Sequence, residues 1–570
     1  MALEDMSFTQ RMLIFGSLSL MMITGWNLAF PPVPVEETPL PEAEVAREES
    51  AEDAKPKSSG TADAEVIAAA QDAAAPAQVF ERREGKLVGD KLALDVTNAG
   101  QGLISKIEIL GEQFRGEDDS IPDLFLLGDN RTLELRFDGA GNEIDLRDAP
   151  QHVTSLDKRS ITVQQSNAFA EVTQRLSLTE GYEAEYVVTV RNKGPTSKSH
   201  RLNLLTRLGA SGEEDRYDIH RTLCLQGEEM QDRDSSDFGG GGGCNPFGGG
   251  GEDAAPGEEQ RSMAPTQWTG VSTNFFAQVV VPDDFSGVGC AMNVEEDQTQ
   301  YSTLLAGKET LAPGAERTYR FGLFLGPKFE KDLVDFKAVE GVSLKQAIDW
   351  GWFGSVTEVL GGWMLSLLRW FYSLTGVWGV AIILLTVVVR VAMLPLTLKQ
   401  LNSMKAMKKI QPELAAVKEK YKDDKMKQHQ EMQAAMGRAG ANPLAGCFPL
   451  LLQFPVFIAL YASLQAAVEL YNVPFLWVPD LTSQDPYFIL PLAMGAVMYL
   501  QTKLQPTPTA DNEQAKMIQT LMPVIFTVMM LFLPAGLTVY IFASTVIGVI
   551  QTLVIVRPHS SDEPAKAEAS

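Results

Sequence analysis

Cysteine and histidine are scarce, with four and five copies in 570 residues. Acidic residues are missing from every long apolar run. His152, His200 and His220 share no metal spacing and no triad-like motif, so each reads as a lone surface histidine and an enzyme site built on them is not expected. No P-loop is present, which excludes the usual nucleotide-hydrolysing engine. No cofactor and no metal are expected. Residues 31–80 hold no aromatic side chain before Phe80 and are rich in Pro, Ala and Glu, the composition of a disordered acidic linker. No small-x-small cleavage pattern follows the apolar stretch Met12–Phe30, so residues 1–30 read as a retained transmembrane anchor rather than a removed signal peptide. Internal repeats and intramembrane acids, the marks of an ion-coupled transporter, are not visible.

What is present divides sharply by charge. The net charge of −25 sits on part of the chain only, and nucleic acid is excluded as a direct partner. From 81 to 330 short alternating runs such as Tyr186–Val190 and Phe276–Val281 are punctuated by Gly, Asn and Asp. That pattern predicts an all-β sandwich. A Gly-rich insertion at 239–251 surrounds Cys244 and reads as a loop. If this domain is extracytoplasmic, a Cys224–Cys244 disulfide is expected, against the alternative that Cys224, Cys244 and Cys290 are all reduced. Cys447 stands apart, at the edge of an apolar run. Residues 350–368, with Trp350, Trp352 and Trp363, predict an amphipathic helix in the membrane interface.

Runs of about 20 uncharged residues suffice to cross a bilayer. They occur within 369–398 and, several times over, within 441–557, where Leu533-Pro534-Ala535-Gly536 divides one double-length run into a hairpin. With the N-terminal anchor the expectation is a polytopic α-helical membrane protein of six transmembrane helices. Residues 399–440, with Lys405, Lys408 and Lys409 and a turn at Asp423-Asp424, predict a basic cytoplasmic helical hairpin. The loop 469–486 carries Glu469, Asp480 and Asp485 and no basic residue, and so belongs outside. Both termini, including a short tail at 558–570, are then cytoplasmic and the β-domain is periplasmic. The hairpin suits either anionic lipid or docking of ribosomes, nascent chains or a targeting receptor.

Arg390 is the most informative single residue. An ionised side chain within a span costs several kcal/mol unless it snorkels, pairs or meets water. No Asp or Glu lies in any span to pair with it, and Lys399 is about 13 Å further along a helix. Arg390 is therefore expected either to snorkel or to hold open a hydrated pocket, with Thr386 one turn earlier on the same face. Gln453, Gln465, Tyr461, Thr527, Thr538, Tyr540, Ser544 and Thr545 supply further polar groups, as helix-packing contacts or as a shallow groove.

Between Trp350 and Arg557 the chain resembles the YidC insertase family. The stretches that carry the resemblance include Val389-Arg390, Pro395-Leu396-Thr397, Asn442-Pro443-Leu444-Ala445-Gly446-Cys447-Phe448-Pro449, Met522-Pro523-Val524-Ile525-Phe526 and Leu533-Pro534-Ala535-Gly536-Leu537. The β-domain resembles, in placement and character, the periplasmic domain of Gram-negative members. The resemblance implies a five-helix insertase core in the bacterial inner membrane, with a hydrophilic groove open to cytoplasm and lipid. It places Arg390, Thr386, Gln453, Tyr540, Ile541 and Ser544 in that groove, with Ile541 standing where the family often has a second tyrosine. It implies insertion and folding of nascent membrane proteins without catalysis, alone or with the secretion channel, and partnership with the ribosome and a targeting receptor. A secondary transporter, an anchored enzyme and a sugar-binding sandwich are the competing readings.

Overall fold

The computed structural model describes the chain from residue 82 to residue 556, except residues 100–101, 116–122, 124, 126, 129, 138–143, 145, 147–148, 211–217, 235–258, 285–286, 352–353, 423, 439–447 and 505–512. Residues 1–78 and 79–570 form separate units, and the described residues belong to the second. The expected anchor, linker, Gly-rich insertion with Cys244, Asp423, Cys447 and the tail at 558–570 lie outside the described residues.

Alternation builds the β-domain. In Glu183–Asn192 every second side chain, from Ala184 to Asn192, is buried, as a strand with one covered face requires. Among the described residues, strands from Glu84 to Pro327 form antiparallel sheets of eight and nine strands and a two-stranded ribbon. The two large sheets pack face to face around Trp268, Tyr186, Phe125 and Phe324, all fully buried. Burying each such side chain contributes roughly 1.5–3 kcal/mol.

The expected Cys224–Cys244 pairing is wrong. Cys224 lies in strand Arg221–Gln226 of the nine-stranded sheet and is bonded to Cys290 in strand Gly289–Val294 of the eight-stranded sheet, with Cα atoms 6.4 Å apart. Both point into the core, where Met292 and Val294 cover them. Packing of the two sheets brings together residues 66 apart in the chain, a distance that nearness in sequence does not report. The surface reading of the histidines also fails twice. His152 is exposed, but His200 and His220 are buried and bonded to Tyr319 Oη and the Gly209 carbonyl at 2.7 and 2.9 Å.

Beyond the sandwich come helices α1 (Glu330–Val334), α2 (Gly354–Thr375), α3 (Trp378–Ala392), α4 (Leu394–Lys420), α5 (Lys425–Arg438), α6 (Phe448–Ala466), α7 (Ile489–Leu504), α8 (Glu513–Met530) and α9 (Ala535–Val556). The boundary read from sequence between residues 368 and 369 falls instead at Gly376. There φ is +67° and the amide donates to the Tyr372 carbonyl at 2.8 Å, closing α2 in a left-handed cap. Tyr372 then stacks on Trp378 across the break, ring centroids 4.1 Å apart. α3 alone rises about 22 Å, less than the roughly 30 Å of a hydrocarbon core. It runs on through Met393, whose amide bonds Val389 and whose carbonyl takes the Thr397 amide, into the first turns of α4. Among the described residues, Ala535–Leu553 in α9 is long and apolar enough to cross a membrane, and Trp378–Ala392 and Leu521–Met530 are shorter apolar helices.

Candidate functional site

α3 is built from Val, Ile, Leu, Ala and Gly apart from Trp378, Thr386 and Arg390. Arg390 lies where α3, α7 and α9 meet. Its Nε donates to Ser544 Oγ at 2.7 Å. Both of its Nη atoms lie 3.7 Å from the point where a Cβ on Gly548 would stand, and Gln501 Nε2 is 3.3 Å from that same point. The bare backbone at Gly548 thus leaves space for two polar side chains from neighbouring helices. Among the described residues Arg390 forms no ion pair, and its side-chain partner is the Ser544 hydroxyl.

One turn earlier on α9, Tyr540 is buried and its Oη accepts a bond from Gln453 Nε2 of α6 at 2.9 Å. Tyr540 and Ser544 lie four residues apart, hence on one helix face. The result is a polar seam of Gln453, Tyr540, Ser544, Arg390 and Gln501, drawn from four helices of otherwise apolar composition.

The structure brings Arg390, Gln453, Tyr540 and Ser544 together, and separates two other expected members. Thr386 is fully buried, but its hydroxyl donates to the Ile382 carbonyl of its own helix at 2.7 Å. That local bond uses the one donor of the side chain. Ile541 packs half-buried against the apolar core beside the seam. Gln465, another polar residue of α6, turns the other way: its Oε1 accepts from Asn274 of the β-domain at 2.8 Å. Gln501 was missed in sequence because it stands two residues before Lys503, where it reads as a span boundary. Gly548 carries no side-chain signal at all.

The hairpin of α4 and α5 is closed by Arg438–Glu413 at 2.9 Å and by Gln428 Nε2 donating to the Lys418 carbonyl at 2.7 Å. Asp424 accepts the Lys427 amide at 3.0 Å at the start of α5, and Lys409 is exposed. The side chains of Lys405 and Lys408 lie outside the described residues.

Residues 370–562 match the family model of the 60Kd inner membrane protein, and residues 136–362 match that of the YidC periplasmic domain. A membrane protein insertase YidC of Anaeromyxobacter sp. (strain Fw109-5) is 33% identical over 506 residues, covering 85% of this chain and 86% of that protein. A membrane protein insertase YidC of Aliivibrio salmonicida (strain LFI1238) is 39% identical over 291 residues, 51% and 52% of the two chains. Among solved structures, an active YidC insertase with its first transmembrane domain resolved aligns over 84% of this chain and 96% of that one, with a TM-score of 0.36 and 18% identity.

Proposed function

Because the chain belongs to the YidC membrane protein insertase family, we propose that it inserts hydrophobic segments of newly made proteins into the inner membrane along the polar seam around Arg390. It is an inner-membrane protein with a helical membrane core and a periplasmic β-sandwich domain, and it is an insertase rather than an enzyme. In this reading α3 with the first turns of α4, then α6, α7, α8 and α9, form a five-helix core, and the segment 1–30 adds a sixth span. The basic hairpin of α4 and α5 and both termini face the cytoplasm. The exposed face of α2, with Trp363 and Trp370, lies in the membrane interface.

One observation carries the proposal: a guanidinium inside an apolar helical core whose close partners are uncharged. A charged residue at the centre of a bare bilayer costs roughly 2.5–3.5 kcal/mol on insertion scales. Hydroxyl, amide and guanidinium groups along the seam replace part of the lost hydration of a substrate's polar flank. Burial of the apolar segment then completes the transfer, at roughly 0.8 kcal/mol per methylene. No nucleotide takes part. Arg390 favours substrates with an acidic residue beside the segment that crosses. The hairpin, through Lys405, Lys408, Lys409, Asp423 and Asp424, is the surface for the ribosome, the targeting receptor and anionic lipid; the protein works alone or with the secretion channel.

Photocrosslinking tests this directly. A crosslinker at Ile541, beside the seam, captures a ribosome-stalled small membrane protein, whereas one at Ser155, on an exposed strand of the β-domain, does not. No product at Ile541 from a folded protein would overturn the seam as the insertion path.

A further inference from the structure

The seam has two ends. Toward the basic hairpin it runs past Gly548 and Gln501. At the opposite end the starts of α3 and α9 converge beneath the segment that joins α6 to α7. We infer that this segment, residues 467–488, is a roof held down by the β-domain, and that Phe475 and Tyr471 are positioning residues that keep the seam closed at its periplasmic end. This rests on the seam reading above.

The underside of the roof is fitted to the two helices that carry the seam. The Phe475 ring lies on Gly379 of α3, where any Cβ would overlap ring atoms. Gly379, Thr386 and Arg390 are spaced at close to whole turns and so share one face of α3. Phe475 therefore covers the face that bears Arg390. On α9 the amides of Ala535 and Gly536 donate to the carbonyls of Ser483 and Leu481 at 2.7 and 2.8 Å. These first-turn donors have no partner within the helix, and the roof supplies one for each.

The upper side is bound to the β-domain. Gln113 Nε2 donates to the carbonyls of Val468 and Tyr471 at 2.8 and 3.1 Å, and Asn472 Nδ2 donates back to those of Gln113 and Arg115 at 3.0 and 2.8 Å. The Tyr471 ring is set among Phe114, Phe275 and Phe276, with centroids 6.1, 5.4 and 5.1 Å away. Within the roof the backbone is strained at Leu476 and Phe488, with φ of 56° and 55°, a region that bulky residues rarely adopt. Such residues persist where their surroundings hold them. Asp485 does part of this holding, accepting bonds from the Trp477 indole and the Tyr487 and Leu490 amides. A strained segment held from both sides loses part of what keeps its backbone in place when either clamp is removed. Undocking of the β-domain thus frees Phe475 from Gly379 and uncovers the seam from outside.

The test reads access, not insertion. Full-length protein with Cys244→Ser and Cys447→Ser, and with the Cys224–Cys290 bond intact, receives Ile382→Cys. Ile382 is buried at the convergence of the two helices, its Cδ1 3.6 Å from a Cβ position on Gly536. Spheroplasts are treated with a membrane-impermeant maleimide, which reaches only the outer side. Position 382 is expected to stay unlabelled with the roof in place. Labelling is expected to rise about tenfold both in Phe475→Ala, below the roof, and in Gln113→Ala, above it, following the open population of a two-state element. Gly379→Ala, which displaces the ring without touching the segment, gives the same result if Phe475→Ala fails to fold. Labelling in Phe475→Ala or Gly379→Ala but not in Gln113→Ala overturns control by the β-domain, and labelling in none overturns the roof. Neither outcome depends on a substrate, so failure of the crosslink at Ile541 is scored separately.

Discussion

Among the described residues Arg390 is held by one side-chain bond, to Ser544, and its Nη atoms face a surface without a Cβ at Gly548. A buried group in the β-domain that can carry positive charge shows the opposite arrangement. His200 is enclosed against Tyr319, its Nδ1 has no hydrogen-bond partner among the described residues, and burial, with Arg317 nearby, pushes its pKa from 6.5 down to about 4. A base whose folded pKa lies below its unfolded one binds fewer protons when folded. Its contribution is therefore complete above about pH 6.5 and is lost as pH falls toward 4. At about 1.4 kcal/mol per pKa unit the effect is at most about 3 kcal/mol. Thermal unfolding of the purified protein should show Tm falling from pH 6.5 to 4.5 more steeply than in His200→Gln. Equal slopes would remove His200 as the cause. Arg390 was legible in sequence because a lone charge in an apolar run has few explanations. The hydroxyl direction of Thr386 was not, since a backbone carbonyl four residues back competes with any pocket for it.

At the level of elements, the break between α2 and α3 decides which helix lies along the membrane and which enters it. Gly376 makes that break at φ +67°. A β-branched side chain there forces a conformation that costs roughly 1–2 kcal/mol and loosens the Tyr372–Trp378 stack. Gly376→Val should lower Tm by a few degrees, whereas Gly376→Asn, which tolerates left-handed backbone, should come close to the parent. Equal losses in the two variants would show that the strain lies elsewhere. The sequence could not position this boundary, because apolar residues flank Gly376 on both sides and periodicity does not change across it. The break before α9 was legible, because Pro534 lacks the amide that a continuous helix needs. Strands were readable where burial alternates, as in Glu183–Asn192. Their order was not, because Arg221–Gln226 and Gly289–Val294 meet only through packing of whole sheets.

On the scale of the whole molecule, charge and architecture agree. The basic hairpin of α4 and α5 and the acidic loop between α6 and α7 lie at opposite ends of the helices that carry the seam. With the hairpin cytoplasmic, protease added to inverted membrane vesicles should cut between 399 and 438 and spare the β-domain. Protease added to spheroplasts should leave the hairpin intact. Cleavage of the hairpin from outside would reverse the orientation. The disulfide joining the two sheets gives this architecture a chronology. Its sulfurs come from strands of different sheets, so docking of the two sheets presents the thiols to one another, and the bond persists in an oxidising compartment. The thiol state of Cys224 and Cys290 is therefore a record of surroundings: the bonded form marks an outer domain that has met an oxidising compartment.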